Sequence, residues 1–503
     1  MFLFVSLVLT AVVASWVAWR VKNRAMLRKS RDIPGPPTVP GLGNALSFMG
    51  PPERISDVIG EMRQQYGDVF RFWLGPDLNV IVSDPEEAKS LLSNNKTSTK
   101  GPQYKYMTDY CGQGILSGSG PVWRKRRKVV IPNYGRRAVQ SYEVVFNQEA
   151  DVTVERLKKI PEGKTFDIYD DIVRGTTYTV CQTLMGLTRE QTLKLPYLEA
   201  VITESHDQYL IVFKRMTKWY LQIDLLYYLT KLYHQQQVFI KKMLDLGDSI
   251  VRLRLKILET MTDEKKRELL DSKSDEKSNT ELSVVDRLVL SNQIPEYDEI
   301  LKELFTAFTS SQEATAKITS YLLQMMAYHP ECQEKLYAEI QDVLDANEKD
   351  VTDEHIKQMT YLDMVFKEVI RLFPIGVMLQ RTLTEDIKLR NVTLPAGCSL
   401  VIPIFHMQRD KRYWENPNAF NPERFEPCKP IPEAYLPFSH GPMDCLGRYF
   451  GTKLVKTVSV KILREFRLTS PERYEDMRLV MAVSVASVNG YPVQLHPRNV
   501  IQN

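Results

Sequence analysis

A cysteine near the C-terminal end of the chain lies in a glycine-containing segment that could hold a cofactor. The segment runs from Phe438 through Gly441 and Cys445 to Gly447 and leads directly into a helical pattern. Glycines let a backbone approach a flat cofactor closely, and a thiolate at a helix N-terminus is stabilised by the helix dipole. Cys445 is therefore a candidate metal ligand, with a small buried apolar residue as the alternative for a lone cysteine.

Three charged residues upstream of Cys445 have a spacing that could form an ion group. Glu368 and Arg371 are three residues apart, so both lie on one face of a helix, where they can pair. An E-x-x-R pair alone is found on many solvated helices. Here Arg424 follows 53 residues after Arg371, and Cys445 comes next. The order and spacing of all four residues, rather than the E-x-x-R pair alone, therefore indicate a shared site.

The composition of the 503-residue chain excludes several classes of protein. Hydrophobic residues make up 43% and charged residues 25%, which is an ordinary globular balance and not that of a disordered chain. Six basic residues lie between positions 20 and 31 with no acid among them, and the rest is close to neutral, which argues against nucleic-acid binding. The six cysteines have no C-x-x-C spacing, so neither a disulfide framework nor a zinc site is predicted.

The N-terminal segment has the composition of a membrane anchor. Residues 2 to 19 are uncharged and almost wholly apolar, and a helix of this length spans about 27 Å, enough to cross a bilayer. A cleaved signal peptide, the alternative, would carry its positive charge before the apolar run, whereas here the basic cluster follows it and holds the remaining chain in the cytoplasm. We predict a transmembrane signal anchor over 1–19, a basic and proline-rich hinge over 20–44, and one catalytic domain over 45–503.

The hydrophobic periodicity predicts a mainly helical fold with minor β-sheets. Helical patterns occupy 138–158, 218–257, 296–327, 331–346, 353–372 and 447–466. Strand patterns occur at 69–73, 79–82, 387–389 and 399–404. The first two strands predict an early hairpin, and Asn489-Gly490 predicts a closing one. The charged segment 262–280 predicts an exposed loop or a frayed helix.

The ordered set of the E-x-x-R pair, Arg424 and Cys445 resembles the signature of the cytochrome P-450 superfamily, the haem-thiolate monooxygenases. The resemblance covers nearly the whole chain. Residues 328–340 and 395–404 are similar to the clan of fatty-acid ω-hydroxylases and insect lipid and xenobiotic monooxygenases. The resemblance implies the cytochrome P-450 fold, mainly α with minor β-sheets, with a single catalytic domain behind an N-terminal transmembrane helix. It also implies haem b, iron protoporphyrin IX, as the cofactor.

The resemblance further implies roles for individual residues. Cys445, as a thiolate, would be the axial ligand of the haem iron. A buried ion triad would be formed by Glu368, Arg371 and Arg424. Removing one partner of such a group costs about 3 to 5 kcal/mol, so these residues would have a structural role. The implied haem contacts are Trp123, Arg127, Arg381, Phe438, Gly441 and Gly447. Trp123 and Arg127 form a W-x-x-x-R pattern typical of the family. The neighbouring basic side chains are expected to form a surface patch of Arg124, Lys125, Arg126 and Lys128.

One departure from the family pattern concerns the haem propionates. The family has an arginine two residues before the cysteine, whereas this chain has Met443. We therefore expect weaker haem retention or a shifted potential, and not loss of haem, with His440 as a candidate substitute for the missing cation.

A second departure lies in the long helix, where the family carries an acid and a threonine that deliver protons to dioxygen. The residues predicted to be catalytic are Glu313, Thr315 and Ser311. Glu313 keeps the acid, but Ser311 replaces a flexible glycine, Ala314 stands in the place of the threonine, and Thr315 lies about 100° further around the helix. Two explanations stay open. Ser310, Ser311 or a water held by Glu313 supplies the proton path, or the protein rearranges a peroxide instead of activating dioxygen.

The substrate contacts implied by the resemblance lie in regions 104–120, 204–216, 300–315, 374–380 and 484–488. They include Phe213, Phe305, Phe308, Val377, Met378 and Val485, each of which could equally be a core residue. Ser310 stands where many members of the clan carry a glutamate that becomes esterified to the haem. In-chain hydroxylation or epoxidation is therefore expected as much as strict hydroxylation of the terminal carbon.

The resemblance predicts an NADPH- and dioxygen-dependent monooxygenase of the endoplasmic reticulum membrane, with its catalytic domain in the cytoplasm. Its substrate would be a hydrophobic small molecule such as a long-chain lipid, hydrocarbon, terpenoid or xenobiotic. Its partners would be an NADPH-dependent haem-protein reductase, docking on basic residues such as Arg448 and Lys453, and cytochrome b5, with no nucleic acid. The alternatives are a peroxide isomerase of the same fold, which needs no reductase, and a non-catalytic haem- and lipid-binding protein.

Overall fold

Helices account for most of the residues that the computed structural model describes, which are 10, 13–14, 16–39, 41–271, 282–345 and 347–498. In chain order the helices are α1 (Arg24–Lys29), α2 (Arg54–Tyr66), α3 (Pro85–Ser93), α4 (Thr108–Cys111), α5 (Gly120–Val130), α6 (Arg136–Ser141), α7 (Glu143–Leu157), α8 (Tyr169–Thr183), α9 (Arg189–Leu193), α10 (Leu198–Thr217), α11 (Asp224–Tyr228), α12 (Lys231–Glu259), α13 (Asp263–Asp271), α14 (Val284–Leu290), α15 (Tyr297–Tyr328), α16 (Pro330–Val343), α17 (Asp353–Gln358), α18 (Thr360–Leu372), α19 (Ile404–Met407) and α20 (Arg448–Glu465).

The strands are short and form four small sheets. They are β1 (Val69–Leu74), β2 (Asp77–Val82), β3 (Thr99–Lys100), β4 (Phe166–Asp167), β5 (Leu379–Thr382), β6 (Ile387–Lys388), β7 (Thr393–Leu394), β8 (Ser399–Ile402), β9 (Phe466–Thr469), β10 (Leu479–Met481), β11 (Val485–Ser487) and β12 (Pro492–Pro497). The largest sheet has the order β1-β2-β8-β5-β3, in which β2 and β8 run parallel, and the others are β4-β12-β9, β10-β11 and β6-β7. The predicted mainly helical fold with minor sheets is confirmed.

The early hairpin is confirmed, but two predictions about local structure are wrong. The residues on either side of Asn489-Gly490 do not pair with each other, because β11 pairs with β10 while β12 lies between β4 and β9. The helical pattern over 218–257 is not one continuous helix. The short helix α11 ends at Tyr228, and α12 begins after Thr230, whose side chain accepts the Tyr233 amide as an N-cap. At the C-terminal end, pairing with distant strands overrides the local pattern, whereas at residue 230 a local N-cap starts a new helix.

The 32-residue helix α15 is the central element of the core. Acidic side chains at Asp298 and Glu299 lie in its first turn, where they interact favourably with the helix dipole, and it ends at His329-Pro330. Most of its residues are buried, on all sides, because α8, α18 and α20 pack around it. A helix buried in this way can present its middle turns to an internal cavity.

Helix α20, which follows Cys445, is tied to its neighbours by three buried lysines. Each ammonium lies 2.7 Å from an acid on α7 or α18, in the pairs Lys453–Glu143, Lys456–Asp363 and Lys461–Asp151. The expectation that Lys453 docks a reductase is therefore wrong, because its side chain is only 6% exposed and already paired. Arg448 is exposed and pairs with Asp444 one turn earlier.

The predicted anchor over 1–19 lies mostly outside the described residues, since 1–9, 11, 12 and 15 are not among them. Among the residues that are described, no helix combines the length and the apolar character needed to cross a bilayer. The middle of the predicted hinge packs onto the fold, with Ile33 buried and Pro34 accepting the Arg71 amide of β1. Of the charged segment 262–280, residues 263–271 are helical, and 272–280 lie outside the described residues.

Candidate cofactor and substrate site

A cavity of about 550 Å³ lies between the middle turns of α15 and the segment that leads into α20. Further walls come from β3, β5 and the turn between β10 and β11. Most of the lining is apolar, with a few polar side chains. Cavities of this size and character bind drug-sized apolar molecules and cofactors.

Cys445 lines this cavity immediately before α20. Its backbone amide donates to the Phe438 carbonyl at 2.9 Å, which closes the loop behind it. Burial raises the pKa of the Cys445 thiol, while the Gly447 amide and the charges of Arg448 and Arg127 oppose that shift. The loop therefore presents a sulfur atom to the cavity together with an amide donor.

Two of the three other residues predicted from this loop line the cavity, and one does not. Phe438 and Gly447 are part of the lining. Gly441 faces the Leu92 backbone, since a Cβ atom there would lie 2.4 Å from the Leu92 carbonyl oxygen. Its φ of +76° also favours glycine. Gly441 is thus required by a turn and a close backbone contact, and its role as a cofactor contact stays a prediction.

Three cationic side chains meet in one part of the lining. Arg127 donates to the Asp444 carbonyl at 2.8 Å and to its carboxylate at 2.7 Å, and its guanidinium lies 5.6 Å from the Trp123 ring centre. Arg381 is 2% exposed and donates to the Gln380 carbonyl. The third cation is Lys100, which the sequence analysis did not predict. Its position beside the other two follows from the pairing of β3 with β5.

The pairing of β3 with β5 places Lys100 directly opposite Arg381. Like charges at opposed positions destabilise a strand pair. Burial, followed by the charges of Arg381 and Arg127, holds the pKa of Lys100 well below its usual range. Within the described part of the chain neither Lys100 nor Arg381 has an acidic partner. The two propionates of haem b fit this excess of positive charge, so the residues present suit the cofactor that the resemblance implies.

The two residues connected with the missing family arginine are separated. Met443 lines the cavity, whereas His440 is exposed and is not part of the lining. His440 is therefore not the substitute cation, and Lys100 is the better candidate.

The hydroxyl groups in the middle of α15 are mostly engaged within the helix. Ser310 and Thr315 each donate at 2.6 Å to the carbonyl of the residue four positions earlier. Ser311 Oγ lies 3.3 Å from the hydroxyl of buried Tyr134. These three residues and Ala314 line the cavity. The wall is therefore polar in composition but offers few free hydroxyls.

Glu313 also lines the cavity, and it has a cationic partner that the sequence did not predict. Its Oε1 atom lies 2.6 Å from Lys317 Nζ, one turn further along α15. Lys317 is buried and donates at 2.6 Å to the hydroxyl of Ser484, in the turn between β10 and β11. Ser484 lines the cavity within a region expected from the sequence, but the residue was not singled out.

Half of the predicted substrate contacts line the cavity. Those that do are Phe213, Val377 and Met378; those that do not are Phe305, Phe308 and Val485. Between positions 305 and 315 of α15, the lining consists of positions 306, 307, 309, 310, 311, 313, 314 and 315, whereas Phe305 and Phe308 are buried in the core. Phe305 packs edge-on against Tyr110 there. The assignment of Phe305, Phe308 and Val485 to the substrate site stays a prediction.

Glu368, Arg371 and Arg424 lie together behind the segment that leads to Cys445. Arg371 donates two hydrogen bonds to Glu368, at 2.6 and 2.8 Å, and both side chains are fully buried. Arg424 donates to the same carboxylate at 3.2 Å. Arg371 also donates to the Gln408 carbonyl, and the Gln408 amide oxygen accepts the backbone amide of Leu436. The ion group thus fixes the backbone that continues to the cysteine loop.

The loop before α5 is held by a second buried carboxylate of α15. Glu303 accepts the Ile115 amide at 2.9 Å, and Gly114 lies so close that a Cβ atom would overlap the carboxylate. Burial raises the pKa of Glu303 to about 7, partly offset by the Ile115 amide and by the charge of Arg126. Arg126 is 7% exposed, so its assignment to a surface patch is wrong, because it lies on the inner face of α5. The other residues of that patch, Arg124, Lys125 and Lys128, are exposed.

Comparison with known proteins agrees with the geometry of this site. The family model described as Cytochrome P-450 matches residues 33–490. Two Drosophila melanogaster proteins are similar along nearly the whole chain. Cytochrome P-450 4d2 is 32% identical, covering 95% of both chains. Cytochrome P-450 4c3 is 27% identical, covering 96% of this chain and 92% of its own.

Proposed function

Because the chain belongs to the cytochrome P-450 family, whose members bind haem b through a cysteine thiolate, we propose that it is a monooxygenase that inserts one atom of dioxygen into a hydrophobic substrate. The observation that supports this most strongly is the cavity between Cys445 and the polar middle turns of α15. We further propose hydroxylation or epoxidation of a long-chain lipid, hydrocarbon, terpenoid or xenobiotic. Its electrons come from NADPH through a membrane-bound reductase, with cytochrome b5 as a second donor.

In this proposal the residues on the two sides of the cavity divide the work. When bound, a thiolate-ligated haem supplies the reductive activation of dioxygen. Cys445 provides the thiolate, and the Gly447 amide stabilises its charge. Lys100, Arg127 and Arg381 hold the propionates, with Trp123 beside Arg127. The Glu368–Arg371–Arg424 group keeps the cysteine loop in place.

The opposite wall positions the substrate and manages protons. Phe213, Val377 and Met378 bind the apolar body of the substrate and exclude water. Glu313 holds a proton-accepting carboxylate at the wall of α15. Because Ser310 and Thr315 donate to helix carbonyls, a water molecule bound between Glu313 and the cavity carries the proton in the position that a free threonine hydroxyl would occupy.

We propose a membrane location, with a signal anchor over 1–19, a hinge over 20–44 and the catalytic domain at the cytoplasmic face of the endoplasmic reticulum. An exposed apolar face supports this. The segment 223–229 exposes several apolar side chains, including Leu225 at 71% and Leu229 at 80%. Lys218, five residues before this segment, donates to the carbonyl of exposed Met49 at 2.7 Å. Exposed apolar patches of this kind contact membranes or partner proteins.

The test is oxygen-isotope incorporation. The full chain, expressed in membranes with a reductase, NADPH and labelled dioxygen, is supplied with long-chain alkanes, alkenes, alcohols, acids and terpenoids. We expect label in at least one product and loss of that product in Cys445→Ala. Absence of label from every product, with the haem correctly bound, would contradict the proposal.

One observation favours a second candidate function, the rearrangement of a peroxide. Ala314 removes the usual hydroxyl, and that of Thr315 is engaged by the helix. An isomerase would convert a lipid hydroperoxide without NADPH or reductase, and no label from dioxygen would enter the product. The same preparation, assayed without reductase, distinguishes the two functions.

A further inference from the structure

We propose that the cavity contains a subsite for an aliphatic hydroxyl group, formed by Glu313, Lys317 and Ser484, and that the preferred substrate is an alcohol with an otherwise apolar body. The proposal rests on the proposed function, since it names the substrate class of the same cavity. It concerns side chains from two distant parts of the sequence, α15 and the turn between β10 and β11.

The three side chains form a continuous polar group at the cavity wall. Lys317 Nζ lies 2.6 Å from Glu313 Oε1 and donates at 2.6 Å to Ser484 Oγ. Glu313 and Ser484 line the cavity, and Lys317, 2% exposed, lies behind them. A glutamate four residues before a lysine is the favourable orientation on a helix. The lysine therefore positions both cavity-lining groups.

A purely structural role does not account for this arrangement. Buried ion pairs are in general no more stabilising than apolar residues of the same volume, so the pair brings little stability. Apart from the Lys317 ammonium at 2.6 Å, buried Glu313 Oε1 has no hydrogen-bond partner among the described residues, and a carboxylate has about four lone-pair sites. Ser484 Oγ accepts from Lys317, so its own proton is available for another acceptor. The group thus offers both an acceptor and a donor towards the cavity.

A hydroxyl group uses both functions, because it can donate to Glu313 and accept from Ser484. An alkane would leave these groups without partners, which disfavours its binding at a polar site. A carboxylate would add a negative charge beside Glu313, whose charge Lys317 already balances.

Among the described residues, the other titratable groups that interact with the Glu313 charge offer no further cation. They are Tyr110, Tyr169, His206 and Tyr209, on α4, α8 and α10. Burial raises the pKa of each tyrosine and lowers the pKa of His206, so all four are neutral near pH 7. A free fatty acid therefore finds no compensating charge at this subsite.

The experiment compares dodecan-1-ol, dodecane and dodecanoic acid on the haem-loaded full chain in lipid nanodiscs, with no reductase present. Binding is measured by calorimetry and by the change in the haem absorption band. We expect the alcohol to bind at least about tenfold more tightly than the alkane or the acid, the scale of one good hydrogen bond to a charged group.

Ser484→Ala is the main variant, because it leaves the Glu313–Lys317 pair intact. It should reduce the alcohol-to-alkane preference without weakening alkane binding, because the Ser484 donor is lost while Glu313 still accepts from the alcohol. Thr315→Val is the matched control, since it removes a cavity-lining hydroxyl that is engaged by its own helix, and the preference should persist. The double variant Glu313→Gln/Lys317→Met, which buries no unpaired charge, should lose the preference as well.

An equal preference in the wild type and in Ser484→Ala would overturn the subsite, as would tightest binding of the acid. The failure of the proposed function is recognised separately. Labelled oxygen in products with no dependence on Ser484 would remove the subsite and keep the monooxygenase. An alcohol preference that depends on Ser484, without label in any product, would keep the subsite and remove the monooxygenase.

Discussion

Replacing Glu303 with glutamine should stabilise the protein at neutral and alkaline pH but not at acidic pH. The Glu303 carboxyl is 2% exposed, and burial raises its pKa from 4.5 to about 7. In the unfolded chain the carboxyl loses its proton near pH 4.5, whereas in the folded chain it keeps the proton until about pH 7. The folded state therefore binds more protons between these values, and stability falls as pH rises through this window.

The size of the effect follows from the shift. A difference of 2.5 pKa units corresponds to about 3 kcal/mol, fully expressed above about pH 7 and absent below about pH 4.5. Glutamine keeps the amide oxygen that can accept from Ile115 but carries no charge. The difference in stability between Glu303→Gln and the wild type should therefore grow by about 2.5 kcal/mol from pH 5 to pH 8.

The assay is urea unfolding followed by tryptophan fluorescence at several pH values. Glu299→Gln is the matched control, because Glu299 lies one turn earlier on α15 and accepts the Gln113 amide of the same loop, but its side chain is 23% exposed. A difference for Glu303→Gln that does not change with pH, or one that Glu299→Gln reproduces, would refute the reasoning.

Three further substitutions test the cofactor site. Lys100→Met should speed haem loss to apomyoglobin about tenfold or more. Lys96→Met, which changes a lysine whose side chain is 43% exposed, should leave the rate of haem loss unchanged. Equal rates of haem loss in the two variants would remove Lys100 from the propionate contacts. Gly441→Ala should destabilise the fold by about 1 to 3 kcal/mol in urea unfolding, because of its positive φ and the contact with Leu92, and an unchanged midpoint would contradict this. Glu368→Gln should lower the yield of haem-loaded protein through a loss of about 3 to 5 kcal/mol, measured by absorbance per protein, and a normal yield would separate the triad from haem retention.

Features that depend on local sequence were predicted well. The early hairpin, the long helix α15 and the helix after Cys445 follow from periodicity and from proline or glycine at their ends. The order of Glu368, Arg371, Arg424 and Cys445 was enough to indicate the family, because spacing along the chain carries that signature.

Features that depend on pairing between distant segments were not predicted. Lys100 faces Arg381 only because β3 pairs with β5, across nearly 300 residues of sequence. Asn489-Gly490 is a good hairpin signal, but β11 pairs with β10, and β12 pairs with β4 and β9. On α15 the resemblance indicated a region rather than a face, which is why Phe305 and Phe308 were assigned to the cavity.

The most direct test of the central claim, that Cys445 holds a thiolate-ligated haem, is the absorption spectrum of the reduced protein with carbon monoxide. The wild type and Cys428→Ala, which removes an exposed cysteine, should both show the strongly red-shifted band of thiolate ligation. Cys445→Ala should lose that band. A red-shifted band that persists in Cys445→Ala, or its absence from haem-loaded wild type, would contradict the account.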